Sequence, residues 1–180
     1  MADVVLISGS PSAASKSTAI LEFAIQQLSE QGLTSQLINV RDFPAQDLIL
    51  AKYDSPAFDE AKKQVADAAG VIVATPVYKA AYSGGLKTFL DILPQYAFRG
   101  KTLLPIANGG SPGHQLAIDY ALKPVLSAMA ATDLLQGVYA VDAQFSVGPD
   151  GKPTFNDEIR ERLRAAIAHL VANIRVRASE

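Results

Sequence analysis

Residues 4–18, VVLISGSPSAASKST, contain the pattern from which the rest of the predicted fold is built outward. The four apolar residues Val4-Val5-Leu6-Ile7 form a short continuous run, which is typical of a strand buried on both faces. A serine-rich loop follows over Ser8–Ser17, and apolar residues recur at helical spacing from Thr18 onward. A buried strand, a polar loop and a helix in this order predict the first unit of a parallel sheet.

The same alternation continues along the chain. Apolar runs predict four further strands, over residues 35–40, 71–74, 102–107 and 134–141, and we expect Pro76 to end the third strand. Apolar periodicity predicts helices over residues 18–31, 57–69, 83–93, 114–131 and 156–176, with Pro124 inside the fourth and residues 41–56 irregular. This alternation predicts an α/β fold, a doubly wound five-stranded parallel sheet of order 2-1-3-4-5 with helices on both faces.

The composition restricts the kind of protein. The 180 residues fit one domain, which we place over residues 1–180, and 49% of them are hydrophobic. A formal net charge of -2 argues against a protein that grips nucleic acid by charge. Without cysteine, and with two histidines, thiolate catalysis is excluded and no metal site is expected. No signal segment or membrane-length apolar stretch is visible, so we expect a cytoplasmic protein without a membrane or nucleic-acid partner.

Three loops should carry the chemistry, because ligands of doubly wound sheets bind beyond the carboxyl ends of the strands. The first leads into a helix N-terminus, where free amides and the helix dipole favour an anion. A phosphate group is the expected guest, and the candidate contacts are Ser10, Ser15, Lys16 and Ser17. Ser10 and Ser15 occupy the glycine positions of a triphosphate-binding loop, and Gly9 alone is too little for a dinucleotide fingerprint. A serine-rich connection with a helix cap is the other interpretation.

The second loop, residues 75–85, and the third, residues 108–114, suit a flat ring. Tyr78 and Tyr82 stand beside small residues, and glycine lets the backbone approach a ligand closely. Ser83 is expected to cap the next helix. The alternative interpretation is that the tyrosines pack against helices and that His114 is a surface imidazole. A role for His114 as a general base is poorly supported, since no carboxylate stands at a useful spacing.

Three sets of residues together resemble one family: Gly9-Ser10-Pro11 with Ser15-Lys16-Ser17, Thr75-Pro76-Val77-Tyr78 with Tyr82-Ser83-Gly84-Gly85-Leu86-Lys87, and Gly109-Gly110. They are similar to the motifs of the flavodoxin-like NADPH-dependent FMN reductases, and the resemblance extends to about Gln144. Residues 74–93 and 117–127 look like the FMN reductases of alkanesulfonate two-component monooxygenase systems. The resemblance implies that FMN is a substrate, reduced by NADPH or NADH and released to a separate flavin-dependent monooxygenase, which desulfonates alkanesulfonates.

The resemblance also implies roles for individual residues. The FMN phosphate would contact Ser10, Ser15 and Ser17, and the isoalloxazine would lie along Pro76, Val77, Tyr78 and Ser83 with Gly109, Gly110 and His114 on its other side. Many relatives have an arginine where this chain has Ser12, and Lys16 would supply that charge instead. No acid–base side chain is required for hydride transfer, so we expect binding residues and no catalytic side chain.

The resemblance extends to quaternary structure. Tyr120 matches a helix tyrosine that accompanies a π-bulge at a subunit interface near the flavin, and members of this group form homodimers or homotetramers. A π-bulge there has a physical basis, because such bulges are frequent at functional sites.

Other functions remain open at this point. A quinone or azo reductase that retains FMN would use the same loops. A flavodoxin-type electron carrier is less consistent with a net charge of -2, since carriers are usually strongly acidic, and intact loops argue against a non-catalytic assembly protein. Lys79, Lys87 and Arg99 are candidates for the 2′-phosphate of NADPH, with solvated surface charge as the alternative, so the choice between NADPH and NADH is undecided.

Overall fold

The structure is a computed structural model that describes residues 2–149 and 151–179. Of the predicted domain 1–180, Met1, Asp150 and Glu180 lie outside the described residues. The strands are β1 Val4–Ser8, β2 Ser35–Asn39, β3 Gly70–Tyr78, β4 Ala81–Tyr82, β5 Thr102–Gly109, β6 Asp133–Leu134, β7 Val138–Val141, β8 Phe145–Val147 and β9 Pro153–Phe155. The α-helices are α1 Lys16–Glu30, α2 Ala45–Ile49, α3 Asp59–Asp67, α4 Gly84–Ile92, α5 Lys123–Ala128 and α6 Asp157–Ala178.

The predicted sheet order is confirmed. β2, β1, β3 and β5 lie side by side in that order, and β6 and β7 both pair with β5 in parallel. Taken together, β6 and β7 occupy the place of the predicted fifth strand, so the order is 2-1-3-4-5. The short strand β4 pairs antiparallel with the end of β3, and β8 and β9 form a separate hairpin.

Both faces of this sheet are covered, which explains the continuous apolar runs of its strands. Alternate side chains of β1 and β3 enter different halves of the core. Val4, Leu6 and Ile72 pack with α1 and α6, whereas Val5 and Val71 pack with the helices on the opposite face. All five of these side chains are fully buried.

The fifth strand is broken, which the sequence pattern did not predict. Between the paired positions Leu103–Leu134 and Ile106–Val138, β5 has two residues and its neighbour has three, which is a β-bulge. Pro105 lies opposite the break and has no N–H to donate to the ladder. Gly137 has a φ of +90°, and a Cβ there would lie 2.7 Å from the Pro105 carbonyl oxygen, so glycine is required.

Three other local predictions were wrong. β3 continues through Pro76, because β1 ends opposite Ala74 and a strand without a neighbour on one side tolerates proline. The predicted continuous helix 114–131 is instead a 3-10 turn, a π-helical turn over Ile118–Leu122 and then α5. The π-helical turn contains Tyr120, where the resemblance implied a π-bulge. Pro124 lies in the first turn of α5, where a missing N–H has little cost. The segment 41–56, expected to be irregular, contains α2. Within the described residues no helix is long and apolar enough to span a membrane.

Candidate functional site

The three predicted loops follow β1, β3 and β5 and therefore lie at one edge of the sheet. Pro76 pairs with Asn108 in the β3–β5 ladder, so the second and third loops leave the sheet side by side. The first two loops are joined directly, because the buried Ser83 hydroxyl donates a hydrogen bond to the Gly9 carbonyl oxygen. The sequence thus brings the predicted loops together at the carboxyl edge of the strands.

The first loop presents a row of backbone donors. Within the described residues, the amides of residues 13–17 have no hydrogen-bond acceptor, while the Thr18 amide is capped by the Ser15 hydroxyl at 3.1 Å. The Arg41 guanidinium contacts this loop, where its Nη1 donates to the carbonyl oxygens of Ser12 and Ala13, the latter at 3.0 Å. Consecutive free amides at the start of a 15-residue helix are an arrangement that favours an anion.

The candidate hydroxyls of this loop are used differently from one another. The Ser10 hydroxyl accepts from the Ser12 amide at 3.2 Å and the Ser15 hydroxyl caps α1, so each keeps its own O–H to donate. The Ser17 hydroxyl donates to the Asn108 Oδ1 at 2.6 Å and ties α1 to the third loop. Ser10 and Ser15 therefore remain donors for a ligand, whereas the Ser17 proton is already committed.

Lys16 is held by partners outside the first loop. Its Nζ donates to the Asp142 carbonyl oxygen at 3.0 Å, lies 3.5 Å from the Asp142 carboxylate and stands 5.2 Å from the centre of the Phe145 ring. The Asp142 carboxylate also accepts from the Asn108 side-chain amide at 3.3 Å. In this arrangement the Lys16 ammonium neutralises Asp142, and the cation that touches the loop backbone is Arg41.

The second loop is a tight hairpin that presents Tyr78. Val77 and Tyr78 of β3 pair with β4 across a two-residue turn, Lys79-Ala80, in which both residues have positive φ, 49° and 66°. Such turns usually have asparagine or glycine at these positions, so this turn is strained. The Tyr78 side chain is 49% exposed. The Ser83 hydroxyl accepts from the Leu86 amide at 3.0 Å, which confirms its predicted role as the cap of α4.

The two glycines of the third loop have different surroundings. A Cβ at Gly109 would lie 2.8 Å from the Tyr139 hydroxyl, whereas a Cβ at Gly110 would have no neighbour within 4 Å. The Tyr139 hydroxyl donates to the Ser111 carbonyl oxygen at 2.8 Å and holds the loop. Burial, with a smaller effect of the Asp142 charge, raises the pKa of Tyr139 above its ordinary value, so this hydroxyl stays a donor at neutral pH. Gly109 is thus required by close packing against Tyr139, whereas Gly110 faces open space.

His114 and Tyr120 lie beyond the third loop. His114 belongs to the 3-10 turn Pro112–Gln115 and is exposed. Its backbone amide donates to the Ser111 carbonyl oxygen at 3.1 Å, and its imidazole has no hydrogen-bond partner within the described residues. The π-helical turn Ile118–Leu122 contains Tyr120, whose side chain is 79% exposed. The roles suggested for these two residues at the ring and at a subunit interface stay predictions.

Sequence reasoning missed the residues that brace the loops from behind. Arg41 follows β2 and Asp142 follows β7, so both stand at carboxyl ends of parallel strands, while Tyr139 lies within β7. That position was a usable signal, because the same rule had selected the three loops. Their partners, however, lie far away in the chain, up to 126 residues for Lys16 and Asp142.

A doubly wound sheet with a loop of free backbone amides after its first strand, and an exposed tyrosine beside that loop, defines a flavodoxin-like α/β protein. The sequence model of the NADPH-dependent FMN reductases matches residues 2–146, and the chain belongs to this family. The expected fold class and family are thereby confirmed, as is the expected use of FMN with NADPH or NADH.

Individual relatives agree with this assignment. The chain is 49% identical to an FMN reductase (NADPH) of Pseudomonas putida over 165 residues, which are 91% of this chain and 84% of that protein. It is 46% identical to an FMN reductase (NADPH) of Escherichia coli over 164 residues, 91% of this chain and 85% of that protein. The crystal structure of an NADH:FMN oxidoreductase in its apo form is 39% identical, with a TM-score of 0.83 over 94% of this chain and 88% of that one.

Proposed function

We propose that the first loop binds the phosphate of FMN. The observation that carries this proposal is the row of unpaired amides over residues 13–17 at the N-terminus of α1. Ser10 and Ser15 add hydroxyl donors, and the Arg41 guanidinium holds the loop backbone through the carbonyl oxygens of Ser12 and Ala13. The donor set therefore fits a phosphate, since it consists of N–H and O–H groups next to a positive helix end.

Three of the predicted contacts act through the protein in this proposal. The polar groups of Lys16, Ser17 and Ser83 are bonded to Asp142, Asn108 and Gly9, respectively. We assign them to positioning, because each ties the first loop or its helix to a neighbouring loop of the same edge.

The isoalloxazine ring is placed at the rim formed by the second and third loops. Pro76, Val77 and Tyr78 border one side, and Gly110 and His114 border the other, with Gly109 packed beneath. When both substrates are bound, the nicotinamide supplies a hydride to N5 of the flavin. The chain's own contribution is to orient the ring through these residues and to keep the loops fixed by the Tyr139, Asn108 and Ser83 hydrogen bonds.

We propose further that FMN exchanges as a substrate and leaves in reduced form. The rim is open in support of this: Tyr78 is 49% exposed and a Cβ at Gly110 would meet nothing. The acceptor is a separate flavin-dependent monooxygenase that desulfonates alkanesulfonates. The support for this partner is the resemblance of residues 74–93 and 117–127 to FMN reductases of such systems.

The proposed assembly is a homodimer or homotetramer. Tyr120 and Leu116 are 79% and 52% exposed and stand four residues apart around the π-helical turn. A groove of about 440 Å³ between α4 and α5 adds apolar surface nearby, lined by Leu90, Pro124 and Val125 among others. Exposed apolar surface of this kind marks interaction sites.

The test begins with desalted protein, its visible spectrum, and aerobic NADPH oxidation with and without free FMN. A nearly colourless protein whose oxidation rate rises saturably with added FMN supports the proposal. Protein that stays yellow and needs a quinone or azo dye as acceptor shows retained FMN and overturns the substrate proposal. Sulfite release from an alkanesulfonate, after addition of a flavin-dependent sulfonate monooxygenase, tests the partner.

A further inference from the structure

Almost every cationic side chain of this protein has a partner. The chain has 16 Lys and Arg residues, and all of them lie within the described residues. Only the side chains of Lys79 and Arg162 make no hydrogen bond, ion pair or aromatic contact there. Arg162 lies on α6, whereas Lys79 forms the tip of the β3–β4 hairpin at the carboxyl edge, one residue after Tyr78.

The other cations considered for NADPH are engaged or distant. Lys87 Nζ lies 2.7 Å from both carboxylate oxygens of Asp91. Arg99 stacks over the Tyr96 ring at 4.4 Å, and it precedes β5, which places it at the amino edge of the sheet. Lys16 and Arg41, the remaining cations at the carboxyl edge near the first loop, are bonded to Asp142 and to the loop carbonyls.

We propose that Lys79 recognises the 2′-phosphate of NADPH and makes the enzyme selective for NADPH over NADH; this inference rests on the proposed placement of the flavin ring at the rim. NADPH and NADH differ only by that phosphate, so selectivity needs a donor that meets it and nothing else. A lysine is a suitable point charge for a phosphate. Lys79 gives up no existing contact on binding, whereas Lys87 would first lose its bonds to the Asp91 carboxylate.

The hairpin fixes the position of this charge. Both turn residues have positive φ, and the antiparallel pairs Val77–Tyr82 and Tyr78–Ala81 close the turn on either side. A two-residue turn of this hand matches the twist of its strands and leaves the tip little freedom. Because Tyr78 borders the proposed ring position, a dinucleotide whose nicotinamide lies on the ring passes this tip.

Binding of adenosine 2′,5′-bisphosphate, with adenosine 5′-diphosphate as the compound without a 2′-phosphate, tests the inference by calorimetry on the full chain. Lys79→Ala is expected to weaken the 2′,5′-bisphosphate about tenfold, the effect of one charge-assisted hydrogen bond at an exposed site, and to leave the 5′-diphosphate unchanged. Lys79→Arg is expected to retain binding. Arg162→Ala, which removes the other unpaired cation, is expected to change neither and controls for net charge.

Steady-state kinetics give the second readout. In the wild type KM for NADPH is expected to be lower than KM for NADH, and Lys79→Ala is expected to raise only the former, with kcat and the KM for FMN unchanged. An equal rise for both nucleotides, or a rise in the KM for FMN, would overturn the inference in favour of a pyrophosphate or flavin contact. If the wild type does not reduce FMN but binds the 2′,5′-bisphosphate through Lys79, only the proposed function is contradicted. If the wild type reduces FMN but Lys79→Ala does not weaken binding of the 2′,5′-bisphosphate, only this inference is contradicted.

Discussion

The hydroxyl of Ser83 bridges two loops that are 74 residues apart: it accepts from the Leu86 amide, as the cap of α4, and donates to the Gly9 carbonyl oxygen. The side chain is 1% exposed, so water replaces neither bond easily. One hydroxyl thus fixes the start of a helix and the spacing between the proposed phosphate and ring sites.

Ser83→Ala is therefore expected to lower the free energy of unfolding by about 1–2 kcal/mol and to raise the KM for FMN. Urea denaturation and steady-state kinetics measure the two effects. Asn156→Ala is the matched control, because Asn156 caps α6 with a 3.0 Å bond to the Ile159 amide and, within the described residues, has no hydrogen bond to any of the three loops. It should lose about 1 kcal/mol and keep the KM for FMN; an equal KM change in both variants would show that the effect is only instability.

The alternation of strands and helices was predictable because it depends on local periodicity. Residues 4–7 and 71–74 are fully apolar runs, and a covered parallel sheet is the structure that buries such runs on both faces. The sheet order and the choice of three loops followed from general rules of doubly wound sheets rather than from any single residue.

The predictions that failed concern features that depend on contacts between residues far apart in the sequence. The break in the fifth strand involves Gly137 and Pro105, and neither residue alone indicates a bulge. The same holds in the site, where Ser10, Ser15 and Ser17 look equivalent in the sequence. Only the contact with Asn108, 91 residues away, shows that the Ser17 proton is committed.

Asp3 supplies a pH-dependent contribution to stability at the start of β1. Its Oδ2 accepts from the Thr34 amide at 2.7 Å and from the Thr34 hydroxyl at 2.6 Å, and these bonds hold the pKa of Asp3 below its ordinary value of 3.8. A carboxyl whose pKa is lowered by folding stabilises the protein above the unfolded pKa, and this stabilisation is lost as pH falls through the folded pKa.

Asp3→Asn is expected to destabilise the protein at pH 7 by about 0.5–1 kcal/mol, a small effect because the group is exposed to solvent. The difference from wild type should shrink as pH falls below 3.8. Urea midpoints of both proteins across this range provide the measurement. Asp54→Asn is the control, since Asp54 has no hydrogen bond or ion pair within the described residues; a difference that persisted unchanged into acid would contradict the assignment.

The strained Lys79-Ala80 turn allows a stabilising substitution. Ala80 has a φ of 66°, a conformation that glycine adopts without steric cost. Ala80→Gly is expected to raise the free energy of unfolding by about 0.5–1 kcal/mol, the relief of strain exceeding the added entropy of the unfolded chain. Ala81→Gly, one residue later in β4, should destabilise instead, because glycine weakens a strand. Thermal unfolding of the two variants provides the measurement. If both substitutions destabilise the protein, the turn is unstrained.

Gly109 and Gly110 are adjacent, but substitutions at the two positions are expected to have different effects: the first on packing, the second on FMN binding. A Cβ at Gly109 would stand 2.8 Å from the Tyr139 hydroxyl, so Gly109→Ala is expected to cost about 1–3 kcal/mol of stability. Tyr139→Phe removes the clashing oxygen, and in a double-mutant cycle the double variant should lose less stability than the sum of the losses of the single variants.

A Cβ at Gly110 would meet nothing within 4 Å, so Gly110→Ala should leave stability unchanged while it raises the Kd for FMN, measured by flavin fluorescence. If Gly110→Ala binds FMN as the wild type does, the ring does not rest on this loop, and the third loop then serves the fold alone.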